Sequence, residues 1–153
     1  MNQRAVPPHP WAIRLGFWSA LLSAGTFIVF TICFVAIAVS GPLFNWTDMA
    51  DYVAHVQGNP QFFKHLAQLS MVLFSALYVV LVNSIHTWAD TEHKLLTRIG
   101  LSFGIMFATL TGLHYFVQLT AVRLSLRAGT TEGLAPFVQA NPHGVLLAVN
   151  MLG

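Results

Sequence analysis

The stretch Leu15–Val39, "LGFWSALLSAGTFIVFTICFVAIAV", decides the fold, because it contains no Lys, Arg, Asp or Glu. Roughly 20 predominantly apolar residues cross the ~30 Å hydrocarbon core of a bilayer as one helix, and this run exceeds that length. Arg4 and Arg14 precede it, and Ala36-Ile37-Ala38 has the look of a signal-peptide cleavage site. A signal core is only about 7–15 residues long, however, so the length argues for an uncleaved first helix.

Two more uncharged runs lie downstream, Ala67–Ala89 ("AQLSMVLFSALYVVLVNSIHTWA") and Ile99–Val122 ("IGLSFGIMFATLTGLHYFVQLTAV"). A fourth apolar run occupies 143–153. As a helix, "GVLLAVNMLG" would rise only about 15 Å, half the hydrocarbon thickness. The fold class is therefore all-α: a transmembrane helical bundle of three complete spans (15–39, 67–89, 99–122) and a truncated fourth, in one integral membrane domain. The chain reads as an N-terminal fragment whose later spans are missing. Composition agrees, since 56% of residues are apolar and 8% charged, against about 25% charged in a soluble domain. The connection "DTEHKLLTR" between the second and third runs is short enough to make them antiparallel neighbours.

Basic residues near the spans set topology. With the N-terminus inside, Arg4, Arg14, Lys94 and Arg98 lie on the inner side, and Lys64, Arg123 and Arg127 on the outer. The balance favours a cytoplasmic N-terminus. Arg123 and Arg127 are expected to snorkel toward lipid headgroups. The basic residues are scattered, so no nucleic-acid partner is expected.

One phrase occurs twice, "VQGNP" at Val56–Pro60 and "VQANP" at Val138–Pro142. Asn is a favoured N-cap and Pro a favoured first helical residue. Both copies therefore read as helix starts, each preceded by a short amphipathic segment. This is the pattern of a parallel repeat.

Polar residues inside the spans fall on stripes. At 100° per residue, Gly100, Gly104, Thr111, His114 and Gln118 share one side of the third run. Gln68, Ser75, Asn83 and His86 share one side of the second. Antiparallel pairing places Gln68 level with Gln118, Asn83 with Gly104, and Ser75 with Thr111 and Gly112. A polar group facing lipid costs several kcal/mol, so these residues are expected to form a polar interhelical interior. Gly100-x-x-x-Gly104 has the spacing of close helix packing.

An intramembrane ionisable residue is a functional hypothesis by default, and His114 is the foremost one here. The interior Gln68/His114/Gln118 suggests small-solute transport or sensing. A membrane-embedded enzyme or redox subunit using histidines is a second reading, and a structural or partner-binding component a third. His86 and His114 differ in depth by roughly 20 Å at 1.5 Å per residue, so they cannot share one haem. His86, Asp90 and His93 could form a metal site only if the second helix ran through all three. No P-loop, H-E-x-x-H or G-x-G-x-x-G motif is present. No catalytic residue and no cofactor are therefore expected. The partners expected are the lipid bilayer and further helices, from a second copy or from another chain.

The stretch His114–Gly144, "HYFVQLTAVRLSLRAGTTEGLAPFVQANPHG", carries "YFVQLT", then "EGL", then "NP" ahead of another apolar helix. In these features it resembles the corresponding part of a family of uncharacterised bacterial multi-pass membrane proteins. The resemblance covers about a fifth of the chain. It implies a bacterial inner-membrane protein with more helices than are present here, and it transfers no active-site residue.

Overall fold

The computed structural model describes residues 10–40 and 44–152. Arg4, used in the charge count, and Gly153, at the end of the fourth run, lie outside the described residues. The chain is an all-α bundle: α1 (Pro10–Ser40), α2 (Met49–Gly58), α3 (Phe62–Trp88), α4 (Lys94–Val117), α5 (Arg123–Ala128) and α6 (Val145–Leu152). A 3-10 turn, Thr91–His93, leads into α4, and a second spans Ala135–Phe137. A π-helical turn, Gln118–Val122, joins α4 to α5 without a break. Among the described residues, three stretches are long and apolar enough to cross a membrane: Pro10–Ser40, Phe62–Trp88 and Thr91–Ala128.

Helix α3 is central, with α1 on one side and α4 on the other, and α6 packs on α4. The α1–α3 seam is made of small residues. Ala12, Ser19, Ser23 and Cys33 are the buried positions of α1, and their steps follow the three-and-four spacing of one helix face. A Cβ added at Gly16 would lie 3.0 Å from the Cβ of Ser84 on α3. Small residues let two backbones approach where lipid supplies no hydrophobic drive for association. The remaining faces of α1 carry exposed Phe17, Trp18, Ile28 and Phe34, a surface suited to acyl chains.

Many hydroxyl groups along the helices are satisfied within their own helix. Ser70 Oγ donates to Leu66 O, Ser75 Oγ to Met71 O, Ser84 Oγ to Val80 O and Thr109 Oγ1 to Ile105 O. Each is a bond to the carbonyl one turn back, which removes the need for a partner helix.

The two V-Q-x-N-P phrases do not start helices. Asn59 is the C-cap of α2, and its Nδ2 donates to His55 O at 2.8 Å. Helix α3 begins at Phe62, after Gln61. Asn141 sits in a turn: its Oδ1 accepts from the His143 amide and its Nδ2 donates to Ala135 O, both at 3.0 Å. Helix α6 begins only at Val145. The preceding segments differ too. The first forms α2, capped by the Asp48 carboxylate accepting from Asp51 N; the second folds as turns around Ala135–Phe137. What the phrases share is a cluster. Tyr52, Val122, Leu134 and Val138 form a buried core, with Val56, Phe44, Trp46 and Leu126 packed against it. This cap closes the end of the bundle where α3 starts and α4 ends.

At the other end, Lys94 Nζ donates to His86 O at 2.7 Å and to Thr87 O at 3.2 Å. The ammonium thereby satisfies carbonyls that the end of α3 leaves open.

Close packing is uneven along α4. A Cβ at Gly104 would lie 3.3 Å from both γ-carbons of Val82 and 3.4 Å from Tyr78, whereas one at Gly100 would meet nothing within 4 Å. Gly100 is thus not part of the helix contact that its spacing from Gly104 suggested. Replacing Gly104 by Leu should destabilise the protein by about 1–3 kcal/mol through overpacking, and Gly100→Leu should stay within about 0.5 kcal/mol of wild type. Thermal unfolding in detergent, followed by circular dichroism, checks this; equal losses at the two sites would refute it.

Candidate functional site

The expected interior residues separate into three groups. The first lies along the α3–α4 seam. Ser75 is buried, and a Cβ at Gly112 would sit 3.3 Å from its Cβ. Thr111 is buried nearby in sequence. Asn83 is on the wrong face: it is exposed, and its Nδ2 donates to Val79 O at 2.8 Å. Its neighbour Val82 meets Gly104 instead. The depth expected for Asn83 was right and the rotation was not, because bonding one turn back lets an amide face outward at little cost.

The second group is at the α3–α4 turn. His86 Nδ1 is 2.9 Å from Thr97 Oγ1. Helix α3 ends at Trp88 and His93 belongs to the separate 3-10 turn, so the single helical face required for His86, Asp90 and His93 to bind a metal is not formed. Among the described residues, no group of three or more His, Cys, Asp or Glu side chains is arranged to hold a metal. The spacing Gly100-Leu101-Ser102-Phe103-Gly104 matches the G-x-S-x-G of nucleophile elbows. It lies inside continuous α4, however, and Ser102 Oγ donates to Arg98 O at 3.0 Å, so the sharp strand-to-helix turn that chemistry requires is missing.

The third group surrounds the cap. His114 is fully buried, and its Nδ1–H donates to Leu146 O at 2.8 Å. A neutral ring then presents Nε2 as an acceptor, and that atom meets no donor at bonding distance. Gln118 brackets the fully buried Val138: its Nε2 donates to Phe137 O and its Oε1 accepts from Gln139 N. These two side chains tie α4 to the segment that follows it.

Beside them is a cavity of about 380 Å³. Its walls come from α2 (Tyr52, Gln57), the start of α3 (Lys64, His65, Gln68), and the π turn with α5 (Gln118, Arg123, Arg127). No Asp or Glu lines it. Gln68 is 3% exposed and its Oε1 has no hydrogen-bond partner; the Nε of Arg123 is likewise buried without one. Lys64 Nζ donates to Tyr52 Oη at 2.8 Å and lies 5.0 Å from the centroid of that ring.

The π turn explains how Arg123 comes to share a wall with Gln118. In an α-helix residues five apart point about 140° away from each other. Here the Arg123 amide bonds to Gln118 O, the i to i+5 pattern of a π turn, so the two positions stack. Reading the third run at 100° per residue places Arg123 off the Gln118 face and misses it. Polar charge at the end of a span was visible in the sequence; the register shift was not.

The chain matches no protein-family model, no curated protein and no solved structure.

The Gln118 bracket has a direct test. Gln118→Leu leaves Phe137 O and Gln139 N without their partner, a loss of about 1–3 kcal/mol. Amides in 134–144 should exchange with deuterium roughly tenfold faster or more, while those in the middle of α3 keep their protection. Unchanged exchange in 134–144 would show that the bracket does not hold this segment.

Proposed function

We propose that this protein is a non-enzymatic multi-pass membrane protein that recognises a small polar solute in the cavity between α2, α3 and α5, as a carrier or sensor does. The observation that carries the reading is Gln68, a buried residue that lines that cavity and whose Oε1 has no hydrogen-bond partner in the protein. A buried amide left unsatisfied costs about 1–3 kcal/mol, a loss that a ligand hydrogen-bonding to it restores. The volume falls within the 300–1,000 Å³ typical of small-molecule sites. The cavity's setting also supports the reading, since its polar side chains gather where the apolar spans meet the cap.

With a cytoplasmic N-terminus in a bacterial inner membrane, the cavity faces the outer side, as suits capture of a solute from outside the cell. A second copy of the chain is a further partner this reading includes.

A structural reading has its own support in His114 and Gln118, whose bonds to Leu146 O and to Phe137 and Gln139 are anchoring contacts. Those two residues are positioning residues here, and recognition is ascribed to the cavity.

The test is a thermal-shift screen of the purified chain in detergent against neutral, cationic and anionic polar metabolites. At least one class should raise the unfolding midpoint of wild type by several degrees, and Gln68→Leu should abolish that rise. A screen in which no solute stabilises the protein, or in which Gln68→Leu responds like wild type, sinks the solute-binding reading and leaves the structural one.

A further inference from the structure

The sequence holds seven Lys and Arg residues, and three of them, Lys64, Arg123 and Arg127, line one cavity together with His65. The two aspartates at the start of α2 bond locally: Asp48, its N-cap, accepts from Asp51 N, and the Asp51 carboxylate accepts from Thr47 Oγ1. Like charges gathered without a counter-charge repel one another, the more so where the surrounding dielectric is low. An anion in their midst converts that repulsion into attraction.

We infer that the cavity binds the phosphate group of a phosphate-bearing anion. This deepens the solute-binding reading and rests on it. The donor set is the argument. A guanidinium offers parallel N–H groups that match two oxygens of a phosphate, and an arginine Nε–H is one arm of that fork. Arg123 lines the cavity, and its Nε is buried without a partner in the protein, so this donor is desolvated and uncompensated. Arg127, one turn along α5, supplies a second guanidinium. Lys64 adds a point charge from α3, and because Tyr52 Oη already accepts from Lys64 Nζ, the tyrosine proton is left to donate.

The carboxamide of Gln68 refines the ligand. Gln68 lines the cavity and its Oε1 is an acceptor without a partner, so it suits a phosphate that also carries a hydroxyl. Either a monoprotonated phosphate or a phosphoglycerol headgroup provides one. The same chemistry can therefore arrive from two sources, as a free phosphate compound or as an anionic phospholipid whose headgroup enters at the membrane surface. In the second case the snorkelling expected of Arg123 and Arg127 is the same interaction, directed into a built site.

The experiment uses the full chain, purified in a neutral maltoside detergent. Inorganic phosphate and glycerol phosphate are titrated by calorimetry against chloride at equal ionic strength. In parallel, native mass spectrometry counts phosphatidylglycerol retained by the protein. The variants are Arg123→Gln with Arg127→Gln, and separately Lys64→Gln. Arg98→Gln, outside the cavity, is the control, and unfolding midpoints confirm that each variant folds.

Saturable phosphate binding, at least tenfold weaker in the cavity variants and unchanged in Arg98→Gln, supports the inference with a free phosphate compound as ligand. One retained phosphatidylglycerol per chain, lost in the same variants, supports it with a lipid as ligand. Binding of neither species, or binding equal in cavity variants and control, overturns it. If a neutral or cationic solute still stabilises wild type through Gln68, only the phosphate inference has failed. If no solute does, the solute-binding reading has failed with it. Should the double variant unfold, Lys64→Gln carries the same comparison alone.

Discussion

The constraint on which the rest of this structure depends is that a polar group inside a bilayer finds its hydrogen-bond partner in the protein. The chain meets it mostly by local means. Serine and threonine hydroxyls along α1, α3 and α4 bond to the carbonyl one turn back, as Thr31 does to Phe27 and Ser102 to Arg98. Asn83 does the same through Val79. Once satisfied in this way, a polar residue no longer dictates which side of its helix faces a neighbour. Size does so instead. Gly16 against Ser84, Gly104 against Val82 and Gly112 against Ser75 mark where the backbones come close, and bulky residues turn outward.

This explains which parts were legible in the sequence. The three spans were, because hydropathy over some 20 residues is a direct reading of the solvent a segment prefers. Antiparallel pairing of α3 and α4 was too, since the link between them is short. The rotation of α3 was read from polarity, which back-bonding had made uninformative at Asn83. A better signal was present in α1, whose Ala12, Gly16, Ser19 and Ser23 recur at steps of four, three and four, the seam that meets α3. The glycine pair in α4 misled for a related reason: spacing permits close approach, yet only Gly104 has a helix opposite it.

The repeated phrase shows how context overrides local chemistry. Asn-Pro carries a real preference for helix starts, but both copies are used otherwise, one to finish α2 and one to make a turn. Each asparagine bonds backwards, Asn59 to His55 and Asn141 to Ala135. The valines that open the two phrases meet in one apolar cluster with Tyr52, Val122 and Leu134. Burial of that cluster fixes where the cap sits, and the polar atoms of the phrases accommodate it.

The cavity lies where these two regimes join. Within the spans local bonding suffices, and within the cap the turns bond to one another. The π turn is the hinge between them, and its i to i+5 bond moves Arg123 onto the Gln118 face. Among the described residues four buried side-chain polar atoms lack a partner: Ser23 Oγ, Gln68 Oε1, His114 Nε2 and Arg123 Nε. Ser23 lies on the buried face of α1 and His114 bonds to Leu146 O, whereas Gln68 and Arg123 are residues that line the same cavity. One is an acceptor and the other a cationic donor, so neither can be satisfied by repacking apolar groups around them. A π turn is also a less favourable helix geometry than the α-helix it interrupts, and such turns concentrate at functional sites. The π turn thus puts Arg123 on the wall that Gln68 and Gln118 also line, at the place where the helix geometry departs from the α form.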